Sequence, residues 1–219
     1  SFQLAGQELV NGKDFYTQGD NDLKQFTADE IVFVGYGIQD AKYNELKGKD
    51  IKGKVVLVLN EGEPQDKDGK YLISGSKARS DWSSSRFKRI QELTKLEPKL
   101  IIATGSQVED MINRFKGRLT EGRIKLEDGN NQRNITQNIP VVNLKSDKAD
   151  AILAKANTSL SQFKEQAALK AQPSITIPAS LNANMGVSAE KLNDPNVLGL
   201  LEGTDKNDEI VIICGHYDH

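Results

Sequence analysis

Cysteine occurs once in the 219 residues, at Cys214, so no disulfide can form within the chain and the redox compartment is left open. Histidine is confined to His216 and His219, which restricts any imidazole chemistry to the extreme C-terminal stretch. Neither sign of charge prevails: 29 Lys+Arg against 31 Asp+Glu leave a net charge of -2. A general binder of nucleic acid or of an anionic membrane would need a clear basic excess, so both classes are disfavoured. No apolar run approaches the roughly 20 residues that cross a bilayer. The opening "SFQLAGQELV" has neither the basic start nor the apolar core of a secretory signal. Because the chain opens on Ser1 rather than Met, a leader removed beforehand is equally compatible.

Several motifs are also missing. The glycines of "GYGI" form no G-x-G-x-x-G, and no G-x-x-x-x-G-K-[ST] occurs, so nucleotide binding has little support and turn positions explain them better. No G-x-S-x-G elbow presents any of the serines as a nucleophile. There is no internal repeat and no low-complexity tract.

What is present is an alternation of short apolar segments with amphipathic ones, at 37% hydrophobic and 27% charged residues, as in an ordinary globular chain. Strands are expected at Ala28 to Ile38, Lys54 to Asn60, Lys99 to Thr104 and Ile139 to Lys145, each an apolar or β-branched run bounded by turn residues. "QDKDGKY" reads as a hairpin tip, and "RIKLEDGNNQRNIT" as a strand with an asparagine-rich turn. Phe87, Ile90, Leu93 and Leu96 predict a helix from Ser83 to Glu97, stopped by Pro98. Ser106 with Glu109 forms a capping box ahead of the stripe Val108, Met111, Ile112 and Phe115. Ser146 is expected to cap a helix carrying Ala149, Ile152, Leu153 and Ala156, and a further helix covers Thr158 to Ala168. After Pro173 three strands follow in succession: "PSITIPASLNANMGVSAEKL", "PNVLGLLEG" and "EIVIICG". Irregularly mixed strands and short helices indicate an α+β first domain, with a boundary near Ala171 to Ser174.

Two features invite function but have plainer readings. Lys77, Arg79, Arg86, Lys88 and Arg89 gather around Trp82, which could suit an anion or peptide surface, but a solvated loop and helix face explains them better, since acidic residues balance the charge elsewhere. "NIT" at Asn134 and "NTS" at Asn157 are glycosylation sequons of a kind common by chance.

The last residues are more specific. In "EIVIICGHYDH" an apolar strand would place His216 and Asp218 on one face, since side chains alternate along a strand. A neutral imidazole suits zinc, and a carboxylate beside it fixes its tautomer. Taken alone, H-x-D is a weak metal signal and reads better as a strand-end histidine bonded to its neighbour, because tetrahedral zinc needs three or four protein ligands.

"NVLGLLEGTDKNDEIVIICGHYDH" resembles the entry strands of the co-catalytic zinc aminopeptidases of peptidase family 28. Asn196, Val197, Gly199, Gly203 and Glu209 match that pattern, as do His216, Tyr217, Asp218 and His219. Upstream, "FVGYGI", "YNELKGKDIKGKVVLVL", "KLIIAT" and "IPVVNL" resemble the protease-associated domain that many members carry as an insertion. The resemblance implies a β-sandwich or barrel-like sheet flanked by short helices over residues 23–173. Residues 1–22 would be the N-terminal segment of the peptidase domain, and 174–219 its first strands. It further implies His216 as a ligand to one of two zinc ions, Asp218 as the carboxylate supporting that ring, and His219 as a non-ligand. A peptide substrate and a secreted or periplasmic location follow from the same likeness. The family's bridging aspartate, paired glutamates, further aspartate and distal histidine have no counterpart in these residues. The 219-residue chain alone is therefore expected to be inactive, with its apolar tail strands open to dimer formation. The alternatives are a protease-associated binding module without chemistry of its own, and a structural α+β domain with a coincidental H-x-D.

Overall fold

The computed structural model describes residues 1–17, 23–120, 139–186, 190–191, 198–205 and 209–215. The chain divides into two compact units, Ser1–Val187 and Ser188–His219.

The first unit is built on one mixed sheet of eight strands in the order β2-β1-β8-β4-β5-β6-β7-β3. Its centre is the parallel set β4 (Leu23–Phe33), β5 (Val55–Leu59), β6 (Leu100–Thr104) and β7 (Val141–Leu144). β5 and β6 are buried at every position, as strands covered on both faces must be. β3 (Phe15–Thr17) pairs antiparallel with β7, and β8 (Ile175–Met185) pairs antiparallel with β4. β1 (Phe2–Leu4) adds to β8, and β2 (Gln7–Glu8) adds to β1.

Helices cover both faces. α1 (Asp81–Ser84), α2 (Arg86–Thr94) and α3 (Gln107–Thr120) connect the parallel strands. α4 (Ser146–Leu153) and α5 (Leu160–Ala167) connect β7 to β8 through a single 3-10 turn, Ala154–Ala156. Alternate residues of β5 belong to different cores: Val55, Leu57 and Leu59 pack with Ile152, Leu153 and Phe163, while Val56 and Val58 pack with Leu93.

The α+β class stands as expected, in the form of one mixed sheet. Several expected elements shift. The first strand begins at Leu23 and ends at Phe33, because the chain turns through Gly35 and Gly37, both at positive φ. The expected Ser83-to-Glu97 helix is two helices, since Ser85 is extended and caps Phe87 N–H; Phe87 is left 60% exposed. α3 runs three residues past Gly117 to Thr120, with non-helical geometry at Phe115. Ser146 is the first residue of α4, and the cap position is Lys145, which makes no side-chain cap bond. The segment "RIKLEDGNNQRNIT" lies outside the described residues.

Of the three late strands, the first is β8, while described residues 198–205 and 209–215 form neither strand nor helix. Leu198, Leu200, Leu201 and Ile210 to Ile213 are exposed there. An isolated apolar segment lacks neighbours to accept its ladder hydrogen bonds, and a strand is defined by that pairing. Among the described residues no helix is long and apolar enough to cross a membrane.

Candidate functional site

Chemistry-bearing side chains gather where the parallel strands end. Directly after β5 comes Asn60-Glu61-Gly62-Glu63, and each glutamate serves a different helix. Glu61 Oε2 accepts from the backbone N–H (2.6 Å) and hydroxyl (2.7 Å) of Ser106, at the start of α3, and its Oε1 accepts from Lys164 of α5. Glu63 accepts from Ser80 N–H (2.6 Å), Ser80 Oγ (2.6 Å) and Ser83 Oγ (2.7 Å), at the start of α1. The expected Ser106–Glu109 capping box does not form: the Ser106 N–H that the Glu109 carboxylate would accept goes to Glu61 instead, and Glu109 pairs with Lys145 at 2.8 Å. Burial works against the Glu61 carboxylate, yet Lys164 and Ser106 together hold it below its ordinary value.

This arrangement has a chemical consequence. Helix N-termini at the carboxyl ends of parallel strands are where phosphate groups are commonly held, because free N–H groups and the helix dipole converge there. Here the chain's own carboxylates occupy the starts of α1 and α3, so an external anion would have to displace a glutamate at each.

Arg89 completes the cluster. It is 1% exposed, donates to the Gly62 carbonyl and lies 5.7 Å from the Tyr36 ring centroid. Trp82, 7% exposed, lies under Lys88, whose Nζ is 4.9 Å from its ring. For Arg89 and Trp82 the solvated-face reading is thus corrected: both are interior, held by the β5 loop and the packing above it. Arg79 donates to Tyr71 Oη at 3.3 Å. Among the described residues, the buried polar atoms Asn60 Oδ1, Arg89 Nε, Thr104 Oγ1 and Asn143 Nδ2 lack a partner.

Beside this cluster a groove of about 530 Å³ opens between α5 and the start of β8. Phe33, Gly35 and Phe163 line it together with the carboxamides Asn157, Gln162, Gln166 and Gln172. A carboxamide carries both a donor and an acceptor, as a peptide bond does. Asn157 sits in left-handed geometry closing the 3-10 turn, and Ser159 caps α5 by accepting from Gln162 N–H, so both sequon ends have structural employment. Asn134 lies outside the described residues.

Beneath the groove Glu45 is buried at 1% exposure. Its Oε2 accepts from Ile38 N–H at 3.1 Å, Tyr36 N–H also donates to the carboxyl, and Oε1 lies 3.4 Å from Tyr43 Oη. Burial pushes this carboxyl up to about 8, against the pull of the two N–H groups, Tyr43 and Arg89. Tyr36 is pushed up to about 12, first by burial and then by Glu45, and Tyr43 rises from the same two causes.

His216 and Asp218, with His219, lie outside the described residues, so the geometry of the H-x-D pair is not on view. Cys214 is exposed. Among the described residues no group of three or more His, Cys, Asp or Glu could hold a metal ion. Sequence reasoning missed Glu45, Glu61 and Glu63. A signal existed for the last two, acidic residues flanking a glycine directly after the strongest strand; Glu45 in "YNEL" carried none.

Comparison of the chain with protein-family models, with curated proteins and with solved structures gave no significant match.

Proposed function

We propose that the chain is the N-terminal part of a zinc-dependent aminopeptidase, with the sheet unit acting as a protease-associated module that positions polypeptide substrate. The observation that carries this reading is the convergence of three chain positions at one end of β8. Leu23 pairs with Met185, while Ser1 and Asn184 exchange backbone hydrogen bonds at 2.9 Å. A segment that enters and leaves at neighbouring points can be carried by another domain without disturbing it, which is what an insertion requires. The His-Tyr-Asp-His motif, at His216 to His219, begins 31 positions after Met185.

In this reading His216 is a zinc ligand and Asp218 orients its ring, and the metal supplies an activated water when the set is complete. In this reading the H-x-D pair supplies one imidazole, with one supporting carboxylate, of the three or four ligands that zinc takes. The 219 residues by themselves are therefore inactive, and secretion or a periplasmic location belongs to the same proposal. The contribution of the sheet unit is binding. Its groove offers paired donors and acceptors over a floor of Phe33, Gly35 and Phe163, suited to an extended peptide main chain.

A binding module without chemistry of its own is the second reading, favoured by the internally satisfied carboxylates Glu61 and Glu63. Gln166→Lys in the protein as encoded by its gene separates the possibilities. The proposal expects an aminoacyl reporter to turn over within about twofold of the unsubstituted protein, with KM for long peptides raised at least about fivefold. Equal KM values would remove the groove from substrate positioning, and absence of any turnover in the unsubstituted protein would leave the binding module alone.

A further inference from the structure

We propose that Glu45 and Tyr43 form a proton-operated link between the turn that floors the groove and the C-terminal end of α5. Gly35 and Phe163 line the groove and sit directly against Glu45: a Cβ built on Gly35 would meet Phe163 Cζ at 2.6 Å and Glu45 Oε1 closer still. The Tyr43 hydroxyl stands between two acceptors, Glu45 Oε1 and the Ala167 carbonyl, each at 3.4 Å. It has one proton to give.

While Glu45 is ionised, that proton goes to the carboxylate, because a charge-assisted bond is the stronger. When Glu45 gains a proton from solvent on Oε1, the new O–H donates to Tyr43 Oη, and the Tyr43 proton turns to Ala167. Oε2 keeps the Ile38 N–H in both states. Ala167 is the last residue of α5, where a helix leaves its carbonyls without partners inside the helix. Protonation thus adds a bond between α5 and the turn, and deprotonation removes it.

The groups around the carboxyl permit this to happen near neutrality. Burial raises Glu45 to about 8. Arg89, from α2, favours the ionised form, and Tyr36 and Tyr43 are themselves raised and stay neutral there. From α5, Lys164 is engaged by Glu61 while Glu165 lines the groove, and from the β5 loop Glu63 is satisfied by Ser80 and Ser83. The consequence for ligand affinity rests on the groove being a binding site; the link itself does not.

Carbon-detected NMR of the Glu45 carboxyl and of the α5 amides from about pH 5 to about pH 10 tests the link across the raised midpoint. The Glu45 carbon should titrate near 8, with the resonances of Ala167 to Leu169 following it. In Tyr43→Phe the carboxyl should still titrate while the α5 resonances stay flat, and in Glu45→Gln they should be fixed in the low-pH position. A Glu45 midpoint near the ordinary 4.5, or α5 resonances indifferent to it in the unsubstituted protein, would overturn the proposal. Peptide binding that fails while the titration stands would count against the groove and leave the link intact.

Discussion

Gly35 joins the groove and the buried carboxyl in one residue. Its φ is +58°, and the space where a side chain would stand is filled by Glu45 and Phe163. Gly35→Ala combines left-handed strain with overpacking, so it should lower stability by about 2–4 kcal/mol in urea unfolding. A loss below about 0.5 kcal/mol, the scale of an unremarkable surface change, would mean that the turn shifts freely. Glu45 yields a prediction in pH. Its folded value lies above its ordinary one, so the stability associated with the neutral form is complete below about 4.5 and is lost as pH rises through about 8. The slope over that window approaches about 1.4 kcal/mol per pH unit. Chemical denaturation at several pH values should show that decline, and Glu45→Gln should flatten it; parallel profiles would contradict the assignment. Gly35 was legible in the sequence as a turn glycine, whereas Glu45 was not. Glu45 sits among Tyr, Asn, Leu and Lys in a segment that reads as a polar turn, while the space beside Gly35 is shared by Glu45 and by Phe163, more than a hundred positions away.

The helices depend on caps supplied from elsewhere in the chain. Glu61 serves α3 and α5 together, so Glu61→Ala should cost about 1–2 kcal/mol by leaving the Ser106 N–H and Lys164 without their acceptor. Because the Glu61 value is lowered on folding, that contribution is present above about 4.5 and fades as pH falls through the folded value. The difference between Glu61→Ala and the unsubstituted protein should therefore shrink in acid, and a difference independent of pH would argue against an ionic cap. Local patterns made much at this scale readable. β5 and β6 are evident as buried apolar runs and β7 as a strand, and Ala149, Ile152 and Leu153 do form the buried face of α4. The differences have more than one cause, the first being that a capping partner can come from far along the chain. Ser106 was paired with Glu109 where the fold supplies Glu61, 45 positions away. Ser85 was taken as helix interior where it breaks and caps. The Phe87-to-Leu96 stripe was read at a spacing of three, which a helix of 3.6 residues per turn cannot keep on one face.

For the molecule as a whole, the two-unit division gives a direct expectation. Removing residues 188–219 should leave a cooperatively folded unit whose melting temperature stays within about 3 °C of the longer chain, because every strand of the sheet lies within the first unit. A large drop in scanning calorimetry would show that the segment supports the fold. The exposed run Ile210 to Ile213 is apolar enough to require cover, which the completed peptidase domain of the proposal would provide. The motif His216-Tyr217-Asp218-His219, on which the proposed function rests by resemblance, lies beyond the described residues. The central claim is best tested by following release of an aminoacyl reporter by the protein as encoded by its gene, with and without zinc, beside its His216→Ala variant. The account predicts turnover that chelation abolishes and zinc restores, lowered at least about a hundredfold by His216→Ala. Turnover indifferent to chelation, or a His216→Ala variant as active as the unsubstituted protein, would contradict it.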